Sequence, residues 1–227
     1  MTDREPGSGA GEGAEGTADA DAAPSVPAAL RAGAALFNEG HVLAAHDPWE
    51  AAWLPLVEGP DERLLHGLIA TAAATHHAAD RNWSGAVGCA GNAVEYLDGV
   101  GSARRGIDLA PVRDWCRRLA TDPEAIERAT PPTLRIDGTA PRFGDLDLPA
   151  ALLAASALAG AVAPGDEETF ETAASLAREE RGTGRTTFAE LLFAFLRTPD
   201  ARPQVAARLA DHVELAERKR RDVDDLF

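Results

Sequence analysis

The sequence predicts an all-α protein, a multihelical bundle with a C-terminal helical extension, on three observations. Hydrophobic residues make up 45% of the 227 positions, enough to bury a core, and they are mostly Ala and Leu, which favour helix. Aromatic residues amount to 5% and β-branched strand formers are scarce, so nothing argues for a large sheet. Apolar residues also recur at helical spacing in successive segments punctuated by Gly and Pro.

Taken in order, residues 1–23 are mostly Gly, Ala, Asp and Glu without apolar periodicity and are expected to be a disordered acidic tail. Residues 24–144 are expected to form the helical bundle. Its first helix is capped by Ser25, carries Leu30, Ala34 and Phe37, and stops at Gly40. Asp47-Pro48-Trp49-Glu50 then starts or bends a second helix, with Asp47 in the N-cap position and Pro48 at N1. Gly59-Pro60 opens a third helix with the stripe Leu65, Leu68, Ile69 and Ala72, running to about Asp80. Ser84 opens a fourth, ended by Gly99 and Gly101. A helix over Val112 to Ala120, a short one near Ala125, and an extended crossing segment Thr133 to Ile136 turned by Asp137-Gly138 follow. The C-terminal region, 145–227, reads as helices over Pro149–Val162, Glu167–Glu180, Thr187–Arg197 and from Val205 onward, either a separate bundle or packed on the first.

The charge points to an environment. The formal net charge is −15, carried by Asp and Glu, while the cations are Arg with a single lysine, Lys219. Dense carboxylate with almost no Lys keeps a protein hydrated when molar salt screens self-repulsion to about 3 Å. A halophilic cytoplasm is therefore expected, the alternative being a GC-rich genome that replaces Lys with Arg for coding reasons. Cys89 and Cys116 are far apart, without C-x-x-C spacing or a secretory leader, and are expected to be reduced thiols. The longest apolar run, Ala150 to Ala163, falls short of the ~20 residues a membrane span needs.

One polar constellation stands out. Phe37-Asn38-Glu39-Gly40 is followed by Ala45-His46-Asp47-Pro48-Trp49-Glu50-Ala51-Ala52-Trp53, then Arg63, His66-Gly67-Leu68-Ile69, Ala72-Ala73-Ala74, His76-His77, Asn82 and Gly85-Ala86. In order and spacing these residues resemble the family known as domain of unknown function 309. Its pattern runs roughly F-N-x-G, A-H-E-x-x-E-x-x-W, Q-G-L-I-Q-x-A-A-A, a His, and G-N-x-x-G-A. The resemblance implies a multihelical fold and brings no established activity. His46, Glu50 and Trp53 match directly, whereas Asp47 replaces Glu, His66 and Ala70 replace Gln, and Arg81 stands where Gly is usual. Spacing to Asn82 favours His77 over His76 as the family histidine.

Two readings of His46, Asp47, Glu50, Trp53, Arg63, His77 and Asn82 stay open. In the first, His46, Glu50, Arg63 and Asn82 form a buried polar layer that fixes helix register, with Trp49 and Trp53 as core. In the second, His46, Glu50 and His77 converge across antiparallel helices two and three into a metal, ligand or acid/base site, because carboxylate beside imidazole serves both chemistries. Arg63 is expected near Trp53 at the end of helix two. The sequence is not H-E-x-x-H, so no zincin is implied.

Gly182-Thr183-Gly184-Arg185-Thr186-Thr187 looks superficially like a phosphate loop, but a Walker loop needs Gly at Glu179, Lys at Arg185 and a preceding strand. Phe188, Phe193 and Phe195 read as the core face of a helix. Arg218-Lys219-Arg220-Arg221 is the only basic run and is expected to pair with Glu214 and Glu217 rather than to bind nucleic acid. The terminal Val223-Asp224-Asp225-Leu226-Phe227 offers two apolar anchors, so a protein partner is expected, if anywhere, through the C-terminal helix. The expected function is a cytoplasmic binding or interaction module, with a metal-assisted or acid/base enzyme as the alternative. No cofactor is indicated. If the acidity is a halophilic adaptation, dilution from molar KCl should unfold the protein by circular dichroism; indifference to KCl would assign the acidity to coding bias.

Overall fold

A computed structural model describes residues 23–224, so the expected acidic tail lies almost wholly outside the described residues, as do the last three residues of the terminal docking motif. Nine α-helices form among the described residues: α1 (Val26–Asn38), α2 (His46–Trp53), α3 (Pro60–Ala79), α4 (Trp83–Asp98), α5 (Ala110–Thr121), α6 (Leu148–Ala161), α7 (Glu167–Glu179), α8 (Thr187–Arg197) and α9 (Arg202–Asp224). The all-α architecture is as the composition predicts. None of these helices is long and apolar enough to cross a membrane.

The caps are local chemistry. Ser25, Asp147 and Asp166 each accept a hydrogen bond from a first-turn backbone N–H, and Pro lies in the first turn of α1, α3, α5 and α6, where the amide has no helical partner to lose. Two starts differ from expectation. Asn82, rather than Ser84, caps α4, accepting from the Gly85 amide at 3.1 Å. Helix α2 begins at His46 after Ala45, which makes no side-chain cap, so Asp47 is not the N-cap. Pro48 thus occupies the third helical position, which it tolerates because the first four amides of a helix are unpaired in any case.

A two-stranded antiparallel hairpin, β1 (Ala103–Arg104) and β2 (Ile107–Asp108), was not expected, being too short to leave a period in the sequence. Its turn, Arg105-Gly106, holds both residues at positive φ (52° and 79°), the geometry that suits the strand twist of a tight hairpin. Ile136 in the crossing segment bridges to Ile107 and Thr139, with the Asp137-Gly138 turn between the last two.

A single core runs from Ala29 to Val213, so the C-terminal helices pack on the bundle, mainly through α6 against α1 and α2. Roughly half of its buried apolar residues are Ala, which lets helix backbones approach closely. The closest approaches need glycine. A Cβ on Gly33 would lie 2.3 Å from the Trp49 indole, and one on Gly67 would lie 2.5 Å from Leu97. A satellite cluster joins the end of α3 to α4 and α5 around Trp115, whose Nε1 donates to buried Thr75 at 2.9 Å.

Asn38 locks the crossing segment. Its amide donates to the carbonyls of Leu134 (2.9 Å) and Pro141 (3.1 Å), and its carbonyl accepts from Leu134 N (2.8 Å). Only a side chain with both donor and acceptor completes this set. Asn38→Ala should therefore lower stability by about 1–3 kcal/mol, read as a reduced urea midpoint at unchanged m-value.

Candidate functional site

Helix α2 presents the residues that the motif singled out, because Trp49 turns one face of it inward. Trp49 is fully buried, Pro48 and Ala52 are buried beside it, and the opposite side faces solvent. His46 Nδ1 lies 3.6 Å from Asp47 Oδ1 and 3.6 Å from Glu50 Oε2, the latter four residues along the helix. The adjoining Asp47 carboxylate is the main cause of a histidine pKa raised above its ordinary value. Partial burial opposes the shift, and Glu50 adds to it. The half-buried His46 ring is therefore flanked by two carboxylates.

The remaining candidates lie on α3 and in the turn that follows it. His77 accepts from Asn82 Nδ2 at 3.2 Å and packs against Gly85, where a Cβ would meet it at 2.9 Å. Both residues shape the α3–α4 turn. Arg63 is exposed, and its side chain lies against Gly99 at the end of α4. Its neighbour Glu62 faces α2 instead, since successive residues on a helix point about 100° apart. His46, Glu50, Arg63 and Asn82 thus form no buried polar layer.

The register of α2 on α3 sets His46 and His77 about 6 Å out of step along the helix axes. Trp53 packs against His66 with ring centroids 4.6 Å apart and ring planes tilted by 47°, which sets the register of α2 on α3. His46 lies seven residues back from Trp53, about 10 Å along α2, whereas His77 lies eleven beyond His66, about 16 Å along α3. Among the described residues no three His, Cys, Asp or Glu side chains are placed to hold a metal ion.

Trp53 belongs to a cluster that the motif did not reveal. Its Nε1 donates to Glu62 Oε1 at 2.9 Å, His66 Nδ1 lies 3.4 Å from the same oxygen, and His66 stacks on Tyr96 at 3.8 Å. The spacing of Glu62 and His66 was visible in the sequence; Tyr96, thirty residues further on, was not. The cluster closes the α2–α3–α4 junction with every named polar group engaged, which is a structural task.

The turn between α3 and α4 explains one departure from the family pattern. Arg81 takes φ +58°, the left-handed region where glycine is at ease, and Glu127 holds its side chain at 2.9 Å. Asn82→Ala should cost about 1 kcal/mol through the lost cap. Arg81→Gly should gain up to about 1 kcal/mol, because the strain removed exceeds the worth of an exposed ion pair. Urea unfolding of the two variants should give shifts of opposite sign; same-sign shifts would contradict this account of the turn.

The family model described as a domain of unknown function (DUF309) matches residues 30–89, which spans α1 to the middle of α4. No curated protein matches the chain.

Proposed function

We propose that this chain, which belongs to the domain of unknown function 309 family through residues 30–89, works in the cytoplasm as a binding module whose docking face is the outer side of α2. The observation that carries this reading is a row of side chains. Leu43, His46, Glu50 and Leu54 follow one another at intervals of three, four and four residues, so they share one helical face. Leu43 lies in the turn entering α2, and Leu54 continues its helical geometry, with its amide bonded to the Glu50 carbonyl. Leu43 is 50% exposed, Leu54 68%, and Val57 just beyond 86%; they are three of the six exposed large hydrophobics among the described residues. Solvated apolar side chains gathered around a charged pair mark an interaction site more often than a packing accident.

The partner that fits is a protein segment with two apolar anchors flanking an Arg or Lys. The anchors would meet Leu43 and Leu54, and the cation would meet Glu50, on a chain whose net charge of −15 favours basic partners. The enzyme alternative has less support, because His46 and Glu50 keep 28% and 44% of their side chains exposed, whereas catalysis generally needs a concave, water-excluding pocket. The two unpaired cysteines suit a reducing compartment.

A synthetic helical peptide with the pattern Leu-x-x-Arg-x-x-x-Leu, titrated by fluorescence anisotropy, should bind saturably. Leu54→Glu and Glu50→Arg should each weaken binding about tenfold while leaving stability within about 0.5 kcal/mol. A peptide with Glu in place of Arg should recover affinity for Glu50→Arg. Absence of that charge-swap recovery would sink the reading. A sedimentation shift on Leu54→Glu without peptide would assign the face to a second copy of this chain and also overturn it.

A further inference from the structure

Two segments that carry nothing individually, the Gly182–Thr187 loop and the basic run of α9, line one groove. The loop joins α7 to α8, so the strand that a Walker loop requires is absent there and that reading falls. The groove measures about 430 Å³, and Leu176, Phe188, Leu215 and Ala216 give it an apolar lining. Thr183, Arg185, Lys219 and Arg220 supply polar groups to the same space. Gly182 and Gly184 both sit at positive φ (79° and 77°), the left-handed region that glycine adopts without strain.

The carboxylates in this groove are already engaged. Glu179 pairs with Arg220, and Glu180 accepts from the Phe188 backbone amide at 3.2 Å at the start of α8. Thr183 Oγ1 donates to the Glu180 carbonyl at 2.7 Å and accepts from the Arg185 amide at 3.3 Å, which fixes the loop. Among the described residues, neither the Arg185 guanidinium nor the Lys219 ammonium pairs with a carboxylate. Residues 179–187 and 212–221 together hold six Arg or Lys against four Glu, in a chain that holds 22 against 37 overall. This is local positive charge beside an apolar wall, on an otherwise acidic molecule.

We propose that the groove between the α7–α8 loop and α9 binds a small phosphorylated molecule with an apolar body. Arg185 and Lys219 take the phosphoryl oxygens, and Leu176, Phe188 and Leu215 cover the body. A planar guanidinium and an ammonium lining one cleft suit a tetrahedral dianion. The apolar wall gives selectivity over inorganic phosphate. The site lies on other helices than α2 and stands or falls separately from the docking face.

The test is calorimetric titration of the full chain with phenyl phosphate, inorganic phosphate and benzoate, at the lowest KCl that preserves the fold. Phenyl phosphate should bind saturably and more tightly than either of the others. Arg185→Ala and Lys219→Ala should each weaken it about tenfold with an unchanged circular dichroism spectrum. Glu179→Gln, which frees Arg220 and removes a negative charge, should tighten it about threefold. Equal binding of phenyl phosphate and benzoate, retention of affinity in Arg185→Ala and Lys219→Ala, or weaker binding by Glu179→Gln would overturn the proposal.

Discussion

The contact between Trp49 and Gly33 is the constraint from which the rest of the arrangement follows. A fully buried indole lies against the one position in α1 that has no side chain, and a methyl group there would overlap it. Burying a residue of this size contributes more than any other single side chain here can, even though its Nε1–H finds no acceptor among the described residues, at a cost of about 1–3 kcal/mol. With Trp49 inward, the rotation of α2 is set. Pro48 and Ala52 go in with it, and His46 and Glu50 are left outside.

The same economy of small residues governs the whole core. Gly67 admits Leu97 between α3 and α4, and α6 carries Ala at six of its eight buried positions. Close backbone approach of this kind leaves little room for a polar layer, and the buried polar groups present are used up locally. Thr71 and Thr75 bond to carbonyls one turn back, and Arg113 bonds to the Leu97 and Gly101 carbonyls at the end of α4. A guanidinium suits that place because the last carbonyls of a helix carry partial negative charge.

Viewed residue by residue, most of the family pattern assembles the fold. Asn38 ties the crossing segment to α1, Trp53 bonds to Glu62 across the α2–α3 junction, and His77, Asn82 and Gly85 shape one turn. His46 and Glu50 have no such task. They pair only with each other and Asp47, on a surface, flanked by exposed leucines. A motif residue that does nothing for the fold is a better candidate for recognition than one that does.

The sequence by itself determined the class, the positions of all nine helices to within a few residues, the Asp137-Gly138 turn and the pairing of His46 with Glu50, since each rests on propensity, caps or spacing within one segment. It left α2 two residues too short at its start, because a proline at the third position and one at the first look alike when no side-chain cap distinguishes them. The hairpin at Ala103–Asp108 was too short to show a period. What only the tertiary structure decided was everything that depends on rotation and register between helices. The rotation of α3 turns Glu62 to Trp53 and the Arg63 side chain to the end of α4. The contact of Trp53 with His66 fixes the register of α2 on α3, which no spacing within either segment contains. The meeting of the Gly182–Thr187 loop with Lys219 and Arg220 belongs to the same class, for it depends on how α9 lies across α7 and α8. Local chemistry is written in neighbouring residues, whereas the rotation of one helix against another is set by side chains distant in sequence.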